Sequence, residues 1–200
     1  MWRTVHLDLF PEYGARVGLW ERISNAEELH KQITGKGLTL AQSMSCTWLS
    51  ATYIIDVVQV EAAVTQALLH MASGRMATKE LATEVIYCLS PKRSFSRALA
   101  DFGLTPSTKR LLVVVTYPKN LFLDSSERTL DSYLDEIEHL VQGVTSHGDM
   151  SCLDDGIKLT SEFYGITALE QALIDQSADS KQALVDSIIT RMSAREVCRS

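Results

Sequence analysis

The alternation of apolar and polar residues predicts two strands at the beginning of the chain. From Thr4 to Phe10 the apolar residues occupy alternate positions, and Arg16 to Trp20 repeats the alternation. A period of two is typical of half-buried strands. The two strands are therefore expected to pair as an antiparallel hairpin across the turn from Pro11 to Gly14.

A helical period is clearest from Ile54 to Met71, where apolar residues recur every three or four positions and Gly74 follows as a natural terminator. This segment is expected to form the central core helix. The same period, with capping side chains at Ser24, Ser94, Asp124 and Asp179, predicts further helices over residues 24–33, 94–102, 124–141, 167–174 and 179–192.

Two later segments are predicted to be strands. Thr83 to Leu89 is rich in residues that suit a pleat, and Leu111 to Val115 is an unbroken aliphatic run. The second is expected in mid-sheet, covered on both faces, and Leu38 to Ser45 is expected to form a short element. The chain of 200 residues is predicted to be one domain over residues 1–200, of α/β class and α+β type: a single mixed or antiparallel sheet packed with several helices.

Composition limits the class of protein. The chain is 46% hydrophobic and 22% charged, which excludes wholesale disorder. Its longest apolar stretch, Ala51 to Ala72, contains Asp56 and Glu61, and its N-terminus lacks the apolar centre of a secretory signal, so neither membrane nor export is expected. The four cysteines form no C-x-x-C pair, and this spacing favours free thiols in a protein of the cytosol or nucleus. They are Cys46, Cys88, Cys152 and Cys198.

Charge is unevenly distributed along the chain. Residues 75–110 carry seven bases and three acids, a net charge of +4, whereas the whole chain carries −6 and the remainder therefore −10. A basic segment on an acidic body suits contact with a phosphate backbone at one place. An ordinary solvated charged face has the same pattern, so charge alone leaves both interpretations open.

The common sequence motifs of catalysis and metal binding are missing from the chain. The sequence contains no G-x-S-x-G elbow, no Walker loop and no G-x-G-x-x-G fingerprint, and the five histidines lack H-x-x-x-H spacing or a cysteine in a ligand motif. No cofactor or metal is therefore expected. Adjacent acids such as Asp154 and Asp155 point in different directions on a helix, so a shared proton is not expected either.

Four short segments resemble a known family in the family's order. The segment Gly74–Thr78 is similar to the family's Gly-Lys-Met-Lys-Thr run, and Leu81–Val85 is similar to its Leu-x-Thr-Glu-Ile motif. The segment Leu89–Pro91 resembles its Asn-Leu-Ser-Pro turn, and Ala98–Leu104 resembles its Ala-Leu-x-x-Phe-Gly-Ile helix. Residues 7–12 and 188–193 resemble its first strand and last helix. The family is the PRPK-binding protein (TPRKB-like) family, the small regulatory subunit of the KEOPS, or EKC, complex. Ala77 departs from its usual lysine and Cys88 from its usual asparagine.

The resemblance implies a non-catalytic accessory subunit. Such a subunit binds the PRPK-type atypical kinase/ATPase, which contacts the OSGEP-type transferase that makes threonylcarbamoyladenosine (t6A) in tRNA, and it helps to hold the tRNA 3′ CCA end. Candidate tRNA-binding residues are Arg75, Thr78, Lys79, Lys92 and Arg93. Candidate kinase-interface residues are Ile188, Ile189, Arg191 and Met192.

Ordinary structural roles compete with each of these assignments. Thr78 also suits a helix N-cap, Glu84 and Ser90 also suit the satisfaction of turn amides, and the apolar residues of the last helix also suit the core. An alternative function is a stand-alone domain, either enzymatic or binding a small molecule, on an inherited scaffold.

Overall fold

The computed structural model describes residues 2–35, 44–122, 129–146, 153 and 156–195. Its first two strands, β1 (Arg3–Val5) and β2 (Tyr13–Glu21), pair antiparallel, which confirms the predicted hairpin. Strand β1 ends earlier than predicted because the chain turns after it. The Phe10 amide donates to the Leu7 carbonyl at 3.0 Å within this turn.

Three more strands complete an antiparallel sheet: β3 (Ser45–Ser50), β4 (Leu111–Pro118) and β5 (Val144–Thr145). The strand order is β1-β2-β4-β3, and β5 pairs with the end of β2. Strand β4 lies between β2 and β3, as predicted for the aliphatic run.

Eight α-helices are found within the described ranges: α1 (Ala26–Gly35), α2 (Val57–Ala72), α3 (Leu81–Leu89), α4 (Phe95–Phe102), α5 (Leu130–Leu140), α6 (Ile157–Tyr164), α7 (Ala168–Asp175) and α8 (Ser180–Ala194). The Ser94 and Asp179 side chains cap α4 and α8 as predicted. Ser24 does not cap α1, because its hydroxyl donates to the Gln142 carbonyl at 3.3 Å. Helix α5 is capped by Thr129, and Asp124 lies outside the described residues.

One expectation fails between residues 38 and 89. The predicted strand Thr83–Leu89 is instead helix α3, in which the Glu84 amide donates to the Glu80 carbonyl at 3.0 Å. Nearly every side of this short helix is buried, so its β-favouring composition reflects packing rather than a pleat. Strand β3 was not predicted, and residues 38–43 of the element expected there lie outside the described part of the chain.

The sheet is covered by helices on both faces. Leu112 and Val114 of β4 face a core shared with α2, α3, α4, α6, α7 and α8, whereas Leu111, Val113 and Val115 face a second core shared with α1 and α5. This alternation along one buried strand produces the layered α+β architecture that the sequence predicted. None of the helices within the described ranges is both long and apolar enough to cross a membrane.

A buried polar link fixes α6 against α2 and α3. The Tyr164 hydroxyl donates to the Leu89 carbonyl at 2.7 Å and accepts from Gln59 Nε2 at 3.0 Å. The last turn of α3 is therefore anchored to the core, which positions both segments that flank this helix.

Candidate functional site

The segment between α2 and α3 begins at a glycine in a left-handed conformation. Gly74 has a φ of +65°, which other residues adopt only with strain, and the Arg75 amide then donates to the His70 carbonyl at 2.9 Å. The Arg75 side chain donates to Ser73 Oγ at 3.2 Å. We call residues 74–80 the basic loop, since Arg75 and Lys79 are exposed on it.

A buried carboxylate on α3 organises the basic loop. Glu84 Oε1 accepts from His70 Nδ1 at 2.7 Å and from the Ala77 amide at 3.2 Å. Its Oε2 accepts from both the amide and the hydroxyl of Thr78, each at 2.8 Å. The Glu84 side chain is fully buried, so the three donors from Ala77 and Thr78 hold the loop against α3 while the basic side chains face solvent.

Burial raises the pKa of Glu84, but the bonds from His70, Thr78 and the loop amides outweigh it, so the pKa stays below its ordinary value. The carboxylate is therefore ionised where it holds the loop. The N-cap interpretation of Thr78 is wrong, because Glu80 precedes the first turn of α3 and Thr78 bonds to Glu84 instead. The turn-amide interpretation of Glu84 is confirmed.

The five predicted tRNA-binding residues fall into two groups. Arg75, Thr78 and Lys79 precede α3, whereas Lys92 and Arg93 follow it. At 1.5 Å per residue, the nine residues of α3 place about 13.5 Å of helix between the two groups. They form two basic clusters at opposite ends of one helix.

The second basic cluster is tied to its surroundings. Lys92 Nζ lies 4.0 Å from Asp101 Oδ2 and 5.0 Å from the Phe163 ring centroid. Arg93 Nε donates to the Arg195 carbonyl at 2.6 Å. The Ser90 hydroxyl accepts from the Lys92 amide at 3.1 Å, which confirms the turn-amide interpretation of Ser90.

The predicted kinase-interface residues differ in exposure. Ile188 and Met192 lie in the core with 0% and 1% of their surface exposed, so the core interpretation is correct for both and neither can meet a partner in this conformation. Ile189 is half-buried at the edge of the same core. Arg191 donates to both oxygens of Glu170 of α7, at 2.9 and 2.6 Å, and these bonds lower the pKa of Glu170 to about 2.

A shallow apolar groove of about 430 Å³ lies on the exposed side of α2. Val58, Ala62, Thr65 and Leu69 recur along α2 at helical spacing, Glu61 and Gln66 add polar lining, and α8 contributes Ser193. Val58 and Leu69 keep 37% and 49% of their surface exposed, so the groove presents apolar side chains to solvent. We call this feature the α2–α8 groove.

Comparison with known proteins identifies the family. The family model described as kinase binding protein CGI-121 matches residues 20–196. The chain belongs to the CGI-121 family. It is 29% identical over 201 residues to the EKC/KEOPS complex subunit TPRKB of Danio rerio, covering 98% of this chain and 99% of that protein. It is 30% identical over 137 residues to the EKC/KEOPS complex subunit cgi121 of Schizosaccharomyces pombe, covering 68% and 72%.

Membership of the CGI-121 family confirms the resemblance drawn from the sequence. The matched segment contains both basic clusters, α8 and the whole α2–α8 groove, and begins within β2. The family description also supports kinase binding as the general role.

Sequence reasoning missed the groove and the surroundings of Glu84. The groove residues carry a signal, because Val58, Ala62, Thr65 and Leu69 form a second stripe beside the core-facing stripe of α2. His70, Glu84 and Cys88 converge only after α2 and α3 pack together, so no local motif marks them.

Proposed function

We propose that the chain is a non-catalytic subunit of a KEOPS complex that binds the complex's PRPK-type kinase/ATPase and supports t6A modification by helping to hold the tRNA 3′ CCA end. The observation that carries the proposal is the similarity over 98% of the chain to a protein named as a KEOPS subunit. In this role the OSGEP-type transferase is an indirect partner. The chain acts by adhesion, and the chemistry belongs to its partners.

The α2–α8 groove is the proposed contact for the kinase. It is concave and apolar, and buried apolar anchors at the centre of an interface usually supply most of its binding energy. Ile189, a predicted interface residue, lies one turn before Ser193 on α8 and so shares a side of that helix with the groove residue Ser193. Ile188 and Met192 support the same helix from inside the core.

Calorimetric titration of the purified chain with the kinase tests this surface. Val58→Asp and Leu69→Asp are each expected to weaken binding by about tenfold or more, because they place a charge in the apolar groove. Leu173→Asp on α7 is the matched control, since Leu173 is 63% exposed and lies outside the groove. Wild-type affinity in both groove variants, or loss of binding only in the α7 variant, would place the interface elsewhere.

The two basic clusters are the proposed contacts for single-stranded RNA. Arg75 and Lys79 are presented by a loop whose backbone Glu84 fixes, so these cations are held near one another before RNA arrives. Lys92 and Arg93 lie at the other end of α3, beyond about 13.5 Å of helix, an arrangement that suits contacts to different phosphates of one strand. So few contacts give weak binding, which suffices when other subunits hold the same tRNA.

The salt dependence of tRNA binding tests these contacts. Each phosphate contact on a single strand contributes about 0.7 to the slope of log affinity against log salt. Arg75→Ala and Lys79→Ala are each expected to reduce the slope by about that amount, without changing kinase affinity. Lys31→Ala is the control, because Lys31 lies on α1, on the opposite face of the sheet. An unchanged slope in both loop variants would remove the basic loop from the RNA site.

The alternative of a small-molecule-binding domain has one supporting observation. A polar cavity of about 340 Å³ lies beside β3 and the start of β4, lined by hydroxyl groups and by Lys109 and Arg110. A ligand-dependent rise in the melting temperature of the isolated chain, lost in Ser107→Val, would favour this function. If no nucleotide or sugar phosphate raised the melting temperature, the cavity would give no support to this alternative function.

A further inference from the structure

Three potential metal ligands of different chemical types meet in the interior between α2 and α3. His70 lies in the last turn of α2, and Glu84 and Cys88 lie one turn apart on α3. All three residues are buried, and their ligand atoms lie within 4.8 Å of one another. His70 Nδ1 is 2.7 Å from Glu84 Oε1 and 3.9 Å from Cys88 Sγ.

We propose that His70, Glu84 and Cys88 form a binding site for one zinc-type divalent cation. Imidazole nitrogen, thiolate sulfur and carboxylate oxygen are the side-chain donors that Zn²⁺ takes in proteins. Tetrahedral zinc with bonds of about 2.0–2.3 Å separates nitrogen from oxygen by about 3.3 Å and nitrogen from sulfur by about 3.6 Å. The first pair must therefore open by about 0.6 Å and the second close by about 0.3 Å. The carboxylate oxygen and the sulfur, which lie within 4.8 Å of each other, must close to about 3.6 Å, so binding needs rotation of the Glu84 or Cys88 side chain.

Charge balance favours the cation in this interior. A divalent cation, one thiolate and one carboxylate sum to zero, and a buried group is tolerated when its charge is compensated. On binding, the metal replaces the hydrogen between Nδ1 and Oε1 and the thiol hydrogen of Cys88. The imidazole then carries its hydrogen on Nε2, and the thiol proton leaves to solvent.

The hydrogen bonds around Glu84 orient the carboxylate for this role. The amide and hydroxyl of Thr78 hold Oε2, and the Ala77 amide shares Oε1 with His70 Nδ1. Outer-shell bonds of this kind commonly fix a metal-binding carboxylate. Ala77 is exposed and its amide bonds to Oε1, so only the basic loop separates the cluster from solvent, and this is the side from which the cation and a fourth ligand, water, would enter.

Titration of the reduced full-length chain with Co²⁺, followed by competition with Zn²⁺, tests the site. Wild type is expected to take up one Co²⁺ with a thiolate-to-cobalt charge-transfer band, and Zn²⁺ is expected to abolish the band by displacement. Cys88→Ser is expected to lose the band. Cys46→Ser is the matched control and should keep it, because burial raises the pKa of the Cys46 thiol and Cys46 lies outside the cluster.

Two further variants keep the result decisive. A chain with Cys46, Cys152 and Cys198 all changed to Ser retains Cys88 alone and should still give the band. Thr78→Val should weaken Zn²⁺ binding by about 10-fold to 100-fold, with the far-ultraviolet circular dichroism of wild type. Absence of the band in wild type, or its persistence in a folded Cys88→Ser variant, would overturn the proposal. The experiment needs neither kinase nor tRNA, so its outcome is independent of the proposed function.

Discussion

The organisation of the basic loop by Glu84 leads to a quantitative prediction for Glu84→Gln. Glutamine has nearly the same size but keeps only one acceptor oxygen and presents an amide NH₂ in place of the other. In its best orientation the oxygen retains both Thr78 donors, and the NH₂ meets His70 Nδ1 and the Ala77 amide. His70 can accept by changing tautomer, whereas the Ala77 amide loses its partner.

The expected cost follows from these four bonds. A hydrogen bond to a charged group contributes about 1.5–3 kcal/mol and a neutral one about 0.5–1.5 kcal/mol. The two bonds from Thr78 and the bond with His70 therefore each weaken by roughly 1 kcal/mol, and the bond from the Ala77 amide is lost. Water reaching the exposed Ala77 offsets part of this loss. The free energy of unfolding is therefore expected to fall by about 3–5 kcal/mol.

Urea denaturation measures this cost, and amide hydrogen exchange locates it. In Glu84→Gln the amides of Ala77 and Thr78 are expected to exchange faster, because both now lack a charged acceptor. Glu80→Gln is the matched control: Glu80 is exposed, so the same change should alter stability by no more than about 0.5 kcal/mol. If Glu84→Gln matched that control and both amides kept wild-type exchange rates, Glu84 would not organise the loop.

Three further predictions concern stability. Gly74→Ala should lower the free energy of unfolding, measured by urea denaturation, by about 1–2 kcal/mol, because the φ of +65° strains any residue with a Cβ. The control Gly35→Ala should not lower it, since neither the φ of Gly35 nor a nearby atom opposes a Cβ, and equal effects of the two changes would contradict this. Tyr164→Phe should cost about 1–3 kcal/mol by leaving the Leu89 carbonyl without its donor, and an unchanged melting temperature would refute it. The Arg191–Glu170 pair should contribute no more than about 1 kcal/mol in a double-mutant cycle. Because the pKa of Glu170 is lowered, this contribution is full above the unfolded pKa and lost as pH falls towards about 2; a coupling that survived below pH 2 would contradict the assignment.

Much of the fold could be predicted because local signals agreed with tertiary packing. The aliphatic run Leu111–Val115 is central in the sheet, and the caps at Ser94 and Asp179 begin their helices. Strand β3 was missed because Ser45, Cys46 and Thr47 give it no apolar alternation, and pairing with β4 supplies what its composition lacks.

Helix α3 illustrates the opposite error. Its Thr, Val, Ile and Tyr residues favour a pleat, but Glu84 must point towards His70 while Val85 and Leu89 enter the core, and a helix meets these demands. Only part of the candidate functional site could be predicted from the sequence. Its basic residues stand in the sequence, whereas the two-cluster arrangement and the convergence of His70 with Cys88 depend on how α2 packs against α3.

The t6A content of tRNA tests the proposed role most directly. In cells whose own copy of this gene is deleted, t6A is expected to fall and to return when the wild-type chain is supplied. Leu69→Asp, expressed at the same level, should restore much less t6A because it disrupts the proposed kinase surface, whereas Leu173→Asp should restore it fully. Fully modified tRNA in the deleted cells would contradict the account.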